Sequence, residues 1–266
     1  MNVPKKIKFI FLILIILPFT LLPVFAGSSR VLIYTSDEYL NNKKELDLVL
    51  FFPGQGCWST FLLGPYDIGG LELTPPLTKY RSNILFASID TNPQNHYGSP
   101  SVVSDILRII RKLTNIYNIK HIYLIGGSMG ASLTLNIASN SDNDIKNKIS
   151  EILVYLPITD YEYTMKFTQN VSFKESLVEY FYKENKDPTL LKTYSPVTYV
   201  KDLPQRAKIT IIAGAEDTTA PPQQVYEYFQ KAKDFGKNIY LVNVKANHST
   251  KEISKVFEAK LLKLLR

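Results

Sequence analysis

His121-Ile122-Tyr123-Leu124-Ile125-Gly126-Gly127-Ser128-Met129-Gly130-Ala131-Ser132-Leu133-Thr134-Leu135-Asn136-Ile137-Ala138 is the stretch whose reading decides the fold. The run up to Ile125 reads as a buried strand, and Ala131 to Ala138 reads as a helix. Between them stands Gly-x-Ser-x-Gly. A turn this sharp from strand to helix puts its central serine into a strained backbone conformation. Side chains two residues before or after that serine would collide with the neighbouring strand or helix, and both positions are glycine. The serine oxygen is thereby raised above the sheet edge, beside the positive end of a helix and its free amides. Glycine-serine clusters after strands also occur as plain turns. An acid and a histidine in matching places distinguish the two readings.

Working outward, strand-like runs fall at Arg30–Tyr34, Leu46–Phe52, Asn83–Ile89, His121–Ile125, Glu151–Leu156, Lys208–Ala213 and Asn238–Val244. Several are almost continuously apolar, as in strands covered on both faces of a parallel sheet. Helical periods lie between them. Ser101–Tyr117 sets Ile106, Ile109, Ile110, Leu113 and Tyr117 on one stripe, and Gln223–Phe235 and Thr250–Leu265 are also periodic. The alternation predicts an α/β fold with a mainly parallel, doubly wound sheet. Residues 158–203 break the rhythm with nine aromatic side chains and one clear helix near Phe173–Asn185. They read as a small aromatic-rich cap inserted over the site, or as an extra packing layer.

A serine hydroxyl needs a base to take its proton. His248, in Ala246-Asn247-His248-Ser249 after the last strand, is the candidate. His121 begins the strand that feeds the turn and so belongs to the opposite sheet edge. His96, in the loop Thr91–Pro100, could line the site, but no neighbour supports it as base and it reads as a surface histidine. The group that orients the base is expected at Asp217, in Gly214-Ala215-Glu216-Asp217 after another strand. Glu216 is the adjacent alternative, turned away if Asp217 faces inward, and Asp160 is a reserve. The order Ser128, Asp217, His248 places all three at carboxyl ends of strands. An oxyanion would be met by the amide of Met129 and by one from Pro53-Gly54-Gln55-Gly56, after the strand Leu46–Phe52. Gln55 is the expected donor and Gly56 the alternative. Trp58 is a candidate pocket wall, and Cys57 reads as a buried thiol.

With Ile125-Gly126-Gly127-Ser128-Met129-Gly130, Tyr194-Ser195-Pro196-Val197 and Gly214-Ala215-Glu216-Asp217, the chain from about Arg30 to Arg266 resembles the α/β-hydrolase superfamily. It looks closest to exported esterases and the hydrolase domains of prolyl-oligopeptidase-like enzymes. Members usually carry His-Gly where this chain has Pro53-Gly54. The departure leaves the amide donor in place because the histidine side chain is not what binds the oxyanion. The resemblance implies a serine hydrolase acting through an acyl-enzyme on a small-molecule acyl substrate, with a carboxylic ester expected first. The alternatives are a prolyl-oligopeptidase-like peptidase, acyl transfer under a water-excluding cap, and a non-catalytic binding protein on the same fold.

The whole chain sets further bounds. At 266 residues, 45% hydrophobic and 21% charged, it has the material for one α/β domain over 27–266. The formal charge of +7 is scattered, and Lys5, Lys6 and Lys8 lie in a leader, so no nucleic-acid partner is expected. Those lysines, the apolar stretch Phe9–Ala26 and the site Val24-Phe25-Ala26 form a signal peptide over 1–26, with export to a secreted or periplasmic location expected. An uncleaved membrane anchor is the alternative; otherwise no stable membrane partner is expected. Cys57 is the single cysteine, so an intrachain disulfide is excluded. The three histidines lie far apart with no metal-ligand spacing, so neither metal nor cofactor is expected. Asn170-Val171-Ser172 and Asn247-His248-Ser249 match glycosylation acceptors.

Overall fold

The structure, a computed structural model, describes residues 22–26, 29–34, 44–55, 83–90, 96–185 and 187–265. Trp58, Cys57, Gly56 and most of the leader lie outside them. The strands are β1 Leu22–Ala26, β2 Ser29–Tyr34, β3 Leu46–Phe52, β4 Ile84–Asp90, β5 Ile119–Gly127, β6 Ile149–Tyr155, β7 Lys208–Gly214 and β8 Ile239–Val244. They form one sheet in the order β1-β2-β4-β3-β5-β6-β7-β8. From β4 to β8 all neighbours are parallel, whereas β1, β2 and β4 pair antiparallel. This is the doubly wound, mainly parallel sheet of an α/β-hydrolase fold. Leu22–Ala26, the end of the leader in the sequence reading, is its edge strand.

The main helices are α1 Pro100–Ile116, α2 Met129–Asn140, α3 Asn143–Lys148, α4 Tyr161–Phe167, α5 Val171–Val178, α6 Leu190–Tyr194, α7 Pro222–Asp234 and α8 Thr250–Leu265. Every residue of β3 is buried, and its side chains alternate between two cores. Leu46, Leu48, Leu50 and Phe52 face the layer of α1, α2 and α7, where Ile106, Ile110, Leu133, Ile137, Val225 and Tyr228 are buried. Val49 and Phe51 face α8, whose Ile253, Phe257, Leu261 and Leu264 recur at helical spacing. The helix α2 is buried from Met129 through Ser139, and its polar residues Ser132, Thr134 and Asn136 turn their hydrogen bonds inward rather than to water. The helix α1 starts where its sequence says it should: the Ser99 hydroxyl accepts from the Val102 amide, and Pro100 fills the first turn.

The segment between β6 and β7 holds α4, α5 and α6, with a six-residue π-helical continuation of α5 over Glu179–Glu184. Its aromatic residues build a third core. Tyr161, Leu177, Phe181, Leu191 and Tyr194 bury against Tyr97 and Met129. Among the described residues, no helix is long and apolar enough to cross a membrane.

The sheet order places β3 between β4 and β5. Successive connections leave β3 in opposite directions, which is the topological switch where α/β sheets open a crevice at their carboxyl edge. The loops after β3 and β5 both rise there.

Candidate active site

Ser128 follows β5 with φ 51 and ψ −120. A non-glycine residue held at positive φ stores about 1–3 kcal/mol of strain. Three constraints impose it. The Ser128 amide donates to the Tyr155 carbonyl at 2.9 Å, tying the turn to β6. A Cβ on Gly126 would stand 2.2 Å from Thr134 Oγ1 and 2.4 Å from the Gly130 carbonyl oxygen. One on Gly130 would stand 2.1 Å and 2.3 Å from the carbonyl oxygens of Phe52 and Pro53. The two glycines therefore let α2 pack directly on the backbone that ends β3. Gly127 is also required, because a Cβ there would enter the Tyr155 ring.

The expected partners converge on this turn. Ser128 Oγ lies 2.8 Å from His248 Nε2, and His248 Nδ1 lies 2.7 Å from Asp217 Oδ2. The other carboxylate oxygen of Asp217 accepts from the amides of Thr219 at 2.9 Å and Ala220 at 2.8 Å. A carboxylate this buried is tolerated because its oxygens are satisfied. Glu216 is exposed and turned toward Lys245 at 3.9 Å, as alternation predicted. Asp160 is committed elsewhere: it caps α4, accepting from the Tyr163 amide.

The loops bearing Asp217 and His248 are zipped to each other. The Ala215 and Glu216 amides donate to the carbonyls of Val244 and Ala246. Asn247 does more than its position in sequence suggested. Its Oδ1 accepts from the Thr218 amide, the Thr218 hydroxyl and the His248 amide, at 3.0, 3.0 and 2.7 Å. Its own amide donates to Glu252 in the first turn of α8. In sequence this position stands out only as a glycosylation triplet. An asparagine beside the base, facing a threonine beside the acid, was the available signal. The Asn170 side chain is likewise engaged, capping α5 through the Phe173 amide and donating to Thr219 Oγ1.

The Met129 amide sits in the first turn of α2, where a helix leaves its N–H groups without intrahelical acceptors. Gln55 stands after β3 at the same edge, and the register Phe52 opposite Gly126 brings the two loops side by side. Around them opens a cavity of about 470 Å³ lined by residues that include Gln55, Ser128, Tyr155, Phe173, Ser176 and His248. Among the described residues the lining carries no lysine, arginine, aspartate or glutamate.

The other two histidines are accounted for. His121 lies at the far end of β5 and meets Ser150 Oγ at 2.9 Å. His96 corrects the surface reading, for it is buried, and its Nδ1 accepts from the Gly98 amide at 2.9 Å. Burial pushes its pKa down to about 3, so it is held neutral. Among the described residues no group of three or more His, Cys, Asp or Glu side chains is placed to hold a metal ion.

Residues 94–263 match the sequence profile of the prolyl oligopeptidase family. No curated protein matches the chain in sequence. In structure it is similar to a Pyrococcus horikoshii acylaminoacyl peptidase (TM-score 0.66, 15% identity, 96% of this chain and 43% of that one). It is also similar to a Mycobacterium tuberculosis puromycin-hydrolyzing peptidase (0.66, 14%, 93% and 39%). The third is Thermogutta terrifontis esterase 2, in a structure phosphonylated by sarin (0.63, 17%, 92% and 91%). The chain thus spans about two fifths of the length of these peptidases and most of the esterase. At such identities the structural likeness speaks for the α/β-hydrolase fold, while the profile covers well over half of the chain. The chain therefore belongs to the prolyl oligopeptidase family of serine hydrolases.

Proposed function

We propose that the protein hydrolyses carboxylic esters of small neutral molecules through a covalent acyl-enzyme on Ser128. The observation that carries this reading is the unbroken hydrogen-bonded line Ser128–His248–Asp217 at the mouth of a cleft whose described lining carries no lysine, arginine, aspartate or glutamate. His248 Nε2 takes the hydroxyl proton as Ser128 Oγ bonds to the substrate carbonyl carbon. The carbonyl electron pair moves onto oxygen, which the amides of Met129 and Gln55 receive. The tetrahedral intermediate collapses, the ester C–O bond breaks, and His248 returns its proton to the departing alkoxide. Water then attacks the acyl carbon as His248 takes its proton, and the bond from that carbon to Ser128 Oγ breaks as His248 returns the proton to Oγ, releasing the acid and the free serine. Asp217 holds His248 in the tautomer that presents Nε2 to the serine and stabilises its charged form.

Peptide hydrolysis is the second reading, favoured by the peptidases among the structural neighbours. An aminopeptidase would need an anionic group for the substrate's amine, and the described lining is neutral. Steady-state rates on p-nitrophenyl esters and on aminoacyl p-nitroanilides separate the two. Ester turnover with anilide turnover below detection supports the proposal, and anilide kcat/KM comparable to or above that of the ester overturns it. We also propose that the chain is exported. Cleavage after Ala26 would remove β1 and leave β2 at the sheet edge, and the mass of the mature protein, beginning at Gly27, tests it.

A further inference from the structure

The aromatic core under the cap ends at one side chain that touches the cleft without lining it. Tyr97 is fully buried and sits at φ 45, followed by Gly98 at φ 74. This strained turn is pinned from several sides. Gly98 donates to His96, the Ser99 amide donates to the His96 carbonyl, and Asn136 of α2 donates to the Gly98 carbonyl. The Tyr97 ring packs edge-on to Tyr161 at 5.8 Å and tilted against Tyr180 at 4.8 Å and Phe181 at 5.6 Å. Its hydroxyl donates to Ser176 Oγ at 3.0 Å and lies 3.5 Å from Gln55 Nε2. Gln55 and Ser176 both line the cleft, one from the loop after β3 and one from α5. The phenol thus stands behind the cleft wall, in the seam between the elbow and the cap.

We propose that Tyr97 is a wedge that closes the acyl side of the cleft and limits the enzyme to short acyl groups, an inference that rests on Ser128 being the nucleophile. The leaving group must lie within reach of His248 Nε2, which protonates it. The acyl substituent then points away from His248, toward the side of the cleft lined by Gln55 and Ser176. Behind those two residues stands Tyr97, hydrogen-bonded to both, and Tyr97 in turn packs on Phe181 and Tyr161. Each further methylene that cannot enter an apolar pocket costs an enzyme about tenfold or more in kcat/KM. The pinned turn over-determines the ring position, so the wedge is fixed rather than a swinging gate.

The experiment compares p-nitrophenyl acetate, butyrate and octanoate on wild type, Tyr97→Phe and Tyr97→Ala, with fluorophosphonate labelling of Ser128 measured on each. Wild type is expected to prefer acetate, Tyr97→Phe to keep that profile, and Tyr97→Ala to raise the octanoate-to-acetate ratio by about tenfold or more. An unchanged ratio in a Tyr97→Ala protein that labels normally overturns the wedge and leaves the hydrolase reading standing. If Tyr97→Ala does not fold, Tyr97→Leu must shift the butyrate-to-acetate ratio in the same direction, and failure to do so overturns the proposal equally. Xenon-pressurised crystals of the folded variant give a readout that needs no turnover. Xenon between Gln55, Ser176 and Phe181, continuous with the cleft, supports the wedge in a protein whose Ser128 labels, and a collapsed, xenon-free seam refutes it.

Discussion

Replacing Gly130 by alanine tests the claim that backbone contact between α2 and the end of β3 positions the oxyanion site. The new Cβ would lie 2.1 Å from the Phe52 carbonyl oxygen, 2.3 Å from that of Pro53 and 2.6 Å from the Phe52 carbonyl carbon. All three are backbone atoms, so no rotamer relieves the clash. Restoring van der Waals contact requires α2 and the Pro53–Gln55 loop to separate by roughly 1 Å. Overpacking of this kind costs about 1–3 kcal/mol of stability. The catalytic cost is larger on the proposed mechanism, because Gln55, its proposed oxyanion donor, then moves away from Ser128. Loss of one such donor lowers kcat by about 10²–10³-fold. Gly54→Ala is the matched control, since its Cβ would meet Ser128 Cβ at an ordinary 3.4 Å. Thermal melts would show both variants folded, and ester assays would show Gly130→Ala down by two to three orders in kcat with Gly54→Ala within about threefold of wild type. A folded Gly130→Ala enzyme with near-normal kcat would refute the reasoning.

Three further predictions follow from the same geometry. Asp217→Asn keeps the Thr219 and Ala220 amides bonded but destroys the tautomer that presents a free Nε2, so kcat should fall by roughly 10³–10⁴-fold in ester assays with little change in KM. Asn247→Ala leaves the Thr218 and His248 amides without their shared acceptor. It should cost about 1–2 kcal/mol in denaturant melts and lower kcat without abolishing it. His96 has a depressed folded pKa of about 3. As pH falls from about 6.5 toward 3 the unfolded chain binds a proton that the folded chain refuses, so stability is lost by up to about 1.4 kcal/mol per pH unit in that window. His96→Asn keeps an acceptor for Gly98 and should flatten that part of the stability profile relative to wild type, as read by urea melts at pH 4, 5 and 7.

What sequence conveyed was set by how locally each feature is encoded. Leu46–Phe52 and Thr250–Leu265 are found within their predicted limits because continuous apolarity and helical period are properties of the segment itself. The short helices Asn143–Lys148, Tyr161–Phe167 and Leu190–Tyr194 carry no clear signal in sequence, since helices of five to seven residues are not stable alone and exist here through tertiary packing. The helix expected over Phe173–Asn185 changes to π-helical pairing at Glu179, where Tyr180 and Phe181 both reach Tyr97. That contact spans some eighty residues of chain and leaves no periodic trace. Leu22–Ala26 read as the end of a leader because its apolar composition suits either a leader or an edge strand. At the site, Ser128, Asp217 and His248 were legible because each follows a strand in a fixed order. The clamp by Asn247, the burial of His96 and the wedge at Tyr97 depend on loops meeting across the sheet edge. Those meetings are decided only when the fold closes.

The central claim is that Ser128 is an activated nucleophile, and a fluorophosphonate probe addresses it without knowledge of the substrate. The account predicts stoichiometric labelling of the wild-type protein, a modified peptide containing Ser128, and no labelling of a folded Ser128→Ala variant. A well-folded wild-type protein that resists the probe, or labelling that persists in Ser128→Ala, would contradict it.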